Sequence, residues 1–161
     1  MQTRPDVMII DTDRNRIKSL RRILREARRE LSVEEVTDVA RVRETVLGRR
    51  PRLVLLHSAF PYIEEDGTGI VELVREDFRS AKAGIMLVLP ISGSALYRSG
   101  YQEGMEMLDM VDDLITTDFT SDMIQSVVTE YLDRHPETAK AWEAEPEAAR
   151  EPGYAFVSKS V

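Results

Sequence analysis

Short apolar runs alternate along the chain with stretches in which apolar residues recur every three or four positions. Three runs are continuously apolar, at residues 7–10, 53–56 and 85–89. Runs of this kind are typical of parallel strands that are buried on both faces of a sheet. Two shorter and more polar strands are predicted at residues 33–39 and 113–117. Five strands therefore alternate with helical stretches, which is the pattern of an α/β fold with a parallel sheet.

The helical stretches show apolar stripes at three-and-four spacing. The first begins at Arg14 and carries basic residues on its other faces, with Asp13 or Thr12 positioned as its N-cap. Its stripe consists of Ile17, Leu20, Leu24, Ala27 and Leu31. The last helix is predicted to be capped by Ser121 and to end before Pro136. The helices between them are predicted near residues 39–48, 70–78 and 92–104.

The polarity of the strands predicts their order in the sheet. Strands that are buried on both faces belong in the middle, and short polar strands belong at the edges. The first, third and fourth strands are continuously apolar, so the predicted order is 2-1-3-4-5, that of a doubly wound, flavodoxin-like (βα)5 sheet. Open sheets of this type place their chemistry at the carboxyl ends of the strands. The residues at that rim are Asp11, Asp13, His57, Leu89 and Thr117.

Composition and charge exclude several kinds of site and make some partners improbable. The chain has no cysteine, which excludes disulfides, zinc–thiolate sites and cysteine nucleophiles. No apolar run approaches the roughly 18 residues of a membrane span. The formal net charge of −7 disfavours binding to nucleic acid or to an anionic membrane. We therefore expect a cytoplasmic protein that binds neither nucleic acid nor membrane.

The charge is unevenly distributed along the chain. Residues 14–31 contain eight basic and two acidic residues, whereas residues 103–122 contain seven acidic residues and no basic one. Opposite patches on one chain favour docking, either to a partner or head to tail with another copy. A nucleic-acid footprint is a second interpretation of the basic stretch, but no helix-turn-helix signature or interleaved aromatic residues accompany it.

The composition changes after the last predicted helix. Residues 5–135 are predicted to form one domain, and residues 136–161 form a tail rich in alanine, glutamate and proline. Such a composition is typical of a linker or a disordered segment. The last eight residues are apolar enough to dock onto the domain, with Trp142 and Phe156 as candidate anchors. A disordered tail and a docked tail are both compatible with the sequence.

Three motifs resemble the receiver domain of bacterial two-component response regulators, over about residues 6–134. They are VMIID at residues 7–11, LVLL at residues 53–56 with a later Phe-Pro turn and Gly67, and VDDLITTDF at residues 111–119. The resemblance implies the five-stranded fold and a role in signal transduction. It also implies which positions would form a phosphorylation site, and most of these positions depart from the family's pattern.

The aspartate that accepts the phosphoryl group in the family is replaced by His57. Asp11 matches the first metal-binding acid, but Thr12 stands where the second is expected, with Asp13 beside it. The other departures are Leu89 for a small hydroxyl residue, Thr117 for the lysine, Asp118 for its proline and Leu114 for the aromatic switch residue. Phosphoryl transfer needs a nucleophile, a divalent cation and positive charge together. The resemblance therefore implies a degenerate pseudo-receiver that is not an enzyme, has no cofactor and acts independently of phosphorylation.

His57 allows several interpretations. It could accept a phosphoryl group, bind a metal with Asp11 and Asp13, or respond to pH. The simpler interpretation is that it fills the former phosphorylation pocket and forms a hydrogen bond with one of these two carboxylates. One imidazole and two carboxylates are fewer ligands than most metal sites have, so Asp11 and Asp13 are weak metal candidates. If the imidazole pairs with a carboxylate, its pKa should rise.

The segment Asp11-Thr12-Asp13 also resembles the first motif of haloacid-dehalogenase-type phosphatases. In that alternative the chain would be a divergent phosphoryl-transfer or phosphatase-like enzyme, with Asp11 as the nucleophile and Asp13 as the general acid. Against it, no lysine stands at the ends of the later strands, and Leu89 ends the fourth strand where a serine or threonine is expected.

Receiver domains generally bind partners through the fourth helix, the fifth strand and the fifth helix, and the resemblance carries this expectation to residues 92–134. The predicted interaction face combines aromatic rings with carboxylates, namely Tyr97, Tyr101, Glu106, Asp109, Asp112, Asp113 and Asp118. Three methionines, Met105, Met107 and Met110, would add adaptable apolar contacts. The expected partner is a protein with a basic surface, or a second copy of the chain in a homodimer.

Overall fold

The computed structural model describes residues 4–58, 69, 71, 83–99, 111–136 and 138. These residues form one five-stranded sheet in which all neighbouring strands are parallel. The strands are β1 (Val7–Ile10), β2 (Val33–Val36), β3 (Leu53–His57), β4 (Gly84–Val88) and β5 (Asp113–Ile115). Their spatial order is β2-β1-β3-β4-β5, which confirms the predicted doubly wound, flavodoxin-like topology.

Four α-helices lie within the described residues: α1 (Arg14–Ala27), α2 (Val42–Arg49), α3 (Gly93–Ser99) and α4 (Ser121–Arg134). A short 3-10 turn, Val39–Arg41, leads into α2. The helix predicted near residues 70–78 lies almost entirely outside the described residues, as do residues 100–104 and nearly all of the tail. None of the described helices has the length and apolarity that crossing a membrane requires.

The core lies on both faces of the sheet because alternate strand residues point to opposite sides. Ile9 and Leu55 belong to the cluster that also contains buried residues of α1 and α4, whereas Ile10 and Leu56 pack with the buried valines of α2. Every residue of β1 and β3 is buried. Two-sided burial explains why these central strands are continuously apolar in the sequence.

Some predicted boundaries are wrong by a few residues. Helix α1 ends at Ala27, so the buried Leu31 packs from the loop that follows it. The N-cap of α4 is Thr120, whose Oγ1 accepts a hydrogen bond from Met123 N at 3.2 Å, and Ser121 is the first helical residue. Helix α2 continues past Gly48 and ends with Arg50 in the left-handed conformation, at φ 51°.

The strand ends also differ from the prediction. β2 ends at Val36 because Asp38 caps the following 3-10 turn through a hydrogen bond from Ala40 N to its side chain, at 3.0 Å. β5 ends at Ile115, two residues early, and His57 is the last residue of β3, paired with Val88 of β4, rather than the first residue after it.

A candidate functional site at the carboxyl ends of the strands

Two polar residues are buried at the carboxyl ends of the central strands. Asp11 directly follows β1 and is 2% exposed, and His57 ends the neighbouring strand β3 and is 4% exposed. β1 and β3 are parallel and in register, with Ile10 opposite Leu56, so the residues that follow them lie side by side. The structure thus brings together the two predicted residues that the resemblance places at the centre of a phosphorylation site.

Asp11 is held by an arginine that the sequence interpretation did not include. Arg16 Nε donates to Asp11 Oδ2 at 2.8 Å, and Arg16 Nη2 donates to Asp11 Oδ1 at 2.8 Å. The backbone N–H of Asp13 donates to the same Oδ1 at 3.0 Å. Such a two-point guanidinium–carboxylate pair is among the strongest hydrogen-bonded contacts in proteins. Both oxygens of Asp11 are therefore already engaged by the chain itself.

The start of helix α1 positions this arginine. Asp13 is the N-cap, and its Oδ1 accepts hydrogen bonds from Asn15 N at 2.9 Å and Arg16 N at 3.2 Å. Arg16 Nη1 also lies 3.3 Å from Asp13 Oδ2. This assigns the predicted cap to Asp13 rather than to Thr12, which is exposed. One guanidinium thus bridges the acid at the end of β1 and the acid that caps α1.

The charges at this rim shift the pKa values of Asp11 and Arg16. Burial alone would raise the pKa of Asp11, but the hydrogen bonds from Arg16 and from Asp13 N–H, with the nearby His57, hold it below its usual value. The hydrogen bond to Asp11 raises the pKa of Arg16 against the effect of burial. Asp11 is therefore ionised at neutral pH.

The pKa of the buried His57 is lowered rather than raised. Burial lowers the pKa of His57, the carboxylates of Asp11 and Asp13 raise it, and Arg16 lowers it, with a net decrease. The net decrease is opposite to the rise expected for an imidazole paired with a carboxylate, because desolvation penalises the charged imidazolium and because the nearby carboxylate already shares its charge with Arg16. The imidazole is therefore neutral at pH 7.

The metal candidates do not form a cluster. No group of three or more histidine, aspartate or glutamate side chains capable of holding a metal ion occurs within the part of the chain that the structure describes. Asp11 is bound to Arg16, and Asp13 serves as a helix cap. Thr12 offers only an exposed hydroxyl at the position of the family's second acid.

The carboxyl ends of β4 and β5 carry the other predicted positions. Leu89 is buried, belongs to the apolar core and donates its backbone N–H to Ile115 O at 2.9 Å. Leu114 packs against the same core cluster and is partly buried. Thr117 is exposed, and its backbone N–H donates to Ile91 O at 3.0 Å. Neither the leucines nor this threonine brings positive charge to the rim.

Asp118 connects the loop after β5 to the start of α3. Its Oδ1 accepts a hydrogen bond from the hydroxyl of the buried Thr116 and another from Gly93 N at 3.1 Å. The Thr116 hydrogen bond, together with backbone N–H donors, lowers the pKa of Asp118. Asp118 therefore has a structural task in addition to its predicted place on an exposed face, and no sequence signal had indicated Thr116 as its partner.

The predicted interaction face is only partly within the described residues. Tyr97 on α3 is 88% exposed, and Asp112 and Asp113 are exposed beside β5. Asp112 is also structural, because its Oδ2 accepts the backbone N–H of Ile85 at 2.7 Å and so ties the start of β5 to β4. Tyr101, Glu106 and Asp109 lie outside the described residues, as do the three methionines and the tail residues Trp142 and Phe156.

No family model matches the sequence, and no curated protein is similar to it. Solved structures are similar in fold. A response regulator from Desulfuromonas acetoxidans superimposes with a TM-score of 0.63 at 14% identity, over 80% of this chain and 96% of that chain. This chain has the receiver-domain fold. A receiver domain protein from Methanospirillum hungatei JF-1 gives a TM-score of 0.60 at 16% identity, over 85% of this chain and 98% of that chain.

The receiver domain of a histidine kinase from Syntrophus aciditrophicus is similar as well. It gives a TM-score of 0.59 at 20% identity, over 80% of this chain and 89% of that chain. At such identities the likeness concerns the backbone, and a shared fold does not imply shared functional residues. In the receiver fold, the site described above lies at the carboxyl ends of β1 and β3, where open parallel sheets bind their ligands.

Proposed function

We propose that the chain is a pseudo-receiver, a protein-interaction module of bacterial signal transduction that works without phosphorylation. The observation that carries the proposal is the two-point ion pair between Arg16 and Asp11 beside the buried His57. In this arrangement the chain supplies its own cation to the acid at the end of β1. The charge of Asp11 is thus balanced without a bound ligand.

The reaction of phosphorylated receivers needs a carboxylate nucleophile, a divalent cation and positive charge on the phosphoryl oxygens. His57 is a buried neutral imidazole in place of the carboxylate, and its nitrogens cannot form an acylphosphate. Arg16 occupies the oxygens of Asp11 that a cation would need. Thr117 brings no charge to the position of the lysine. These three features support a rim that does not carry out phosphoryl transfer.

The phosphatase-like alternative meets the same obstacle. A nucleophilic carboxylate needs an accessible oxygen, but Asp11 is 2% exposed and both of its oxygens accept hydrogen bonds from Arg16. Asp13, the general acid in that alternative, accepts the N–H groups at the start of α1. These contacts favour a structural role for the two acids.

The function we assign is recognition of another protein through the face formed by α3, β5 and α4. Tyr97 is almost fully exposed there, and Asp113 and Asp118 present carboxylates nearby. An exposed ring among carboxylates suits a basic protein surface, since it provides contact area and complementary charge. The partner is either a different protein or a second copy of the chain.

The test is an amide NMR titration of the full chain with magnesium and then with beryllofluoride, which mimics an aspartyl phosphate. We expect no shifts around Asp11, His57 and Thr117. The matched control is the double variant His57→Asp/Arg16→Ala, which restores a carboxylate and releases Asp11, and in which magnesium should shift the signals of the rim. Saturable shifts in the unmodified chain that spread from the rim to β5 would overturn the proposal.

A further inference from the structure

Helix α1 carries two sets of cations that differ in their surroundings. Three arginines have acidic partners on neighbouring elements: Arg16 with Asp11, Arg21 with Glu35 at 3.0 Å, and Arg28 with Asp133 at 2.9 Å. Four other cations, Arg14, Lys18, Arg22 and Arg25, are exposed and form no ion pair with any residue in the described part of the chain. We call these four the basic stripe.

The basic stripe is a continuous surface. Its members are spaced by four, four and three residues, and at about 100° per residue they fall within a sector of about 80°. The buried residues Ile17, Leu20 and Leu24 lie about 100° to 160° around the helix from the centre of the stripe. From Arg14 to Arg25 the stripe is about 17 Å long, at about 1.5 Å per residue. Four cations therefore project from one face of α1 without an ion-pair partner among the described residues, with the exposed Glu26 at the edge of the stripe.

The acids of the adjacent sheet edge are already neutralised. β2 is the edge strand on this side, and its two glutamates each have a partner. Glu34 Oε1 accepts from Arg49 Nε at 2.9 Å, and Glu35 lies 3.0 Å from Arg21 Nη2. These pairs explain why the β2 side of the molecule keeps a net positive stripe although two acids lie on the edge strand itself.

The opposite sheet edge carries the complementary charge. β5 is the other edge strand, and Asp113, Asp118 and Asp122 are exposed around it, with no ion pair to a cation of the described residues. From Asp113 to Asp118 the chain spans at most about 17 Å. A recess of about 200 Å³ opens beside β5, and its lining includes Asp113, Tyr131 and the pair of Glu130 with Arg134, 3.9 Å apart. Within it, the exposed carboxylate of Asp113 and the ring of Tyr131 are suitable surroundings for a guanidinium or ammonium group.

We propose that the basic stripe of α1 docks on the β5 edge of a second copy, so that copies associate head to tail. The inference rests on the proposed function, because it names the partner of the acidic face. The two surfaces lie at opposite edges of one sheet, so a single copy cannot pair them with each other and the contact is heterologous. A polyanion would meet repulsion from a chain of net charge −7, whereas a second copy presents complementary charge at its β5 edge.

The test is sedimentation analysis of the full chain with charge-reversed variants. One variant carries Lys18→Glu and Arg22→Glu in the stripe, and the other carries Asp113→Lys and Asp122→Lys at the β5 edge. The matched control, Arg41→Glu in the 3-10 turn with Arg43→Glu at the start of α2, changes the net charge as much as the stripe variant does. Circular dichroism establishes that each variant is folded.

We expect the unmodified chain to associate in about 0.02 M salt and its apparent Kd to rise about tenfold or more in about 0.3 M salt, where screening is stronger. Each reversed variant alone should be monomeric, whereas their equimolar mixture and the chain carrying all four reversals should associate. The α2 control should behave like the unmodified chain.

Three results would overturn the inference: a monomeric chain at low salt, association that neither reversal changes, or stripe-dependent binding of a labelled oligonucleotide by a monomeric chain. In each case the proposed function would still stand or fall on the magnesium and beryllofluoride titration. The failure of one proposal can therefore be distinguished from the failure of the other.

Discussion

An arginine lies at each end of the parallel sheet, and the two arginines differ in the number and position of the groups that they bind. At the amino end, Arg52 precedes β3 and is bound to three separate parts of the chain. It donates to Asp6 Oδ1 at 3.1 Å, to Thr138 Oγ1 at 3.0 Å and to Leu132 O at 3.1 Å. At the carboxyl end, Arg16 directs its hydrogen bonds to one carboxylate, Asp11, only five positions away.

This difference separates a structural arginine from one that takes the place of a ligand. Arg52 connects the start of β1, the end of α4 and Thr138, which are far apart in sequence. Arg16 connects no distant parts of the chain, but it lies where open parallel sheets bind anions and metals. The amino end therefore contributes mainly to stability, whereas at the carboxyl end an arginine of the chain lies in the place where such sheets bind ligands.

The amino end is also crowded with positive charge. Arg4 donates to Arg50 O and, at 3.1 Å, to Pro51 O. Burial, with repulsion from Arg52 and Arg50, lowers the pKa of Arg4 to about 10. Arg4 and Arg52 remain close together because backbone carbonyls, Asp6 and Thr138 accept their hydrogen bonds. Removing one central member should leave several of these acceptors unsatisfied.

The largest effect is expected for Arg52→Ala. The side chain is 16% exposed, and its loss removes three contacts and leaves Leu132 O and Asp6 without this donor. We expect a decrease of about 2–4 kcal/mol in the free energy of unfolding, measured by urea denaturation. The control is Arg134→Ala, whose side chain is 76% exposed and lies 3.9 Å from Glu130, and which should change stability by less than about 0.5 kcal/mol. Equal effects of the two substitutions would contradict the structural role of Arg52.

The substitution Arg16→Ala is expected to lower the free energy of unfolding by less. It should also change what the carboxyl end can bind, because it releases Asp11. The buried carboxylate of Asp11 would lose its counter-charge, at a cost of about 1–2 kcal/mol. Asp11→Asn with Arg16→Ala should cost less than the sum of the two single changes, because no uncompensated charge remains. Arg14→Ala, two residues earlier and on the basic stripe, is the control and should be nearly neutral. Additive single changes would show that the two side chains act independently.

The pair of Arg16 and Asp11 should also make the stability of the native state depend on pH in the acid range. Folding lowers the pKa of Asp11 from its ordinary value of 3.8, so the pairing stabilises the native state fully above that value and is lost as the pH falls through the lower folded pKa. Arg16→Ala should therefore flatten the decline in stability on the acid side. An unchanged acid slope would mean that Arg16 is not what holds the Asp11 pKa down.

The sequence predicts the fold well because burial on two faces requires continuous apolar strands. The order of the sheet follows from the contrast between residues 53–56 and the mixed composition of β2, Val33–Val36. Element ends are less well predicted because neighbouring residues compete for the same cap. Thr120 rather than Ser121 caps α4, and Arg50 rather than Gly48 follows the end of α2.

The position of the candidate site could be predicted from the sequence, but its side-chain contacts could not. The ends of β1 and β3 place Asp11 and His57 at one rim regardless of the contacts that their side chains make. The clamp by Arg16 depends on the direction in which a long side chain leaves the first turn of α1, and eight basic residues in residues 14–31 offer many candidate partners. The sign of the His57 shift depends on whether burial or the carboxylates dominate, and only the three-dimensional arrangement decides this.

The smallest of the expected effects concerns His57, because its shift is the net result of opposing contributions. Folding lowers its pKa from 6.5, so between that value and the lower folded pKa the unfolded chain binds more protons than the native chain. The stability that the neutral imidazole contributes is fully present above pH 6.5 and declines as the pH falls through that window. We expect His57→Gln to flatten the pH dependence of the unfolding free energy there, and Ser58→Ala, the neighbouring control, to leave it unchanged. A variant whose slope equals that of the unmodified chain would mean that His57 has the same pKa in both states, and that the carboxyl end titrates through Asp11 alone.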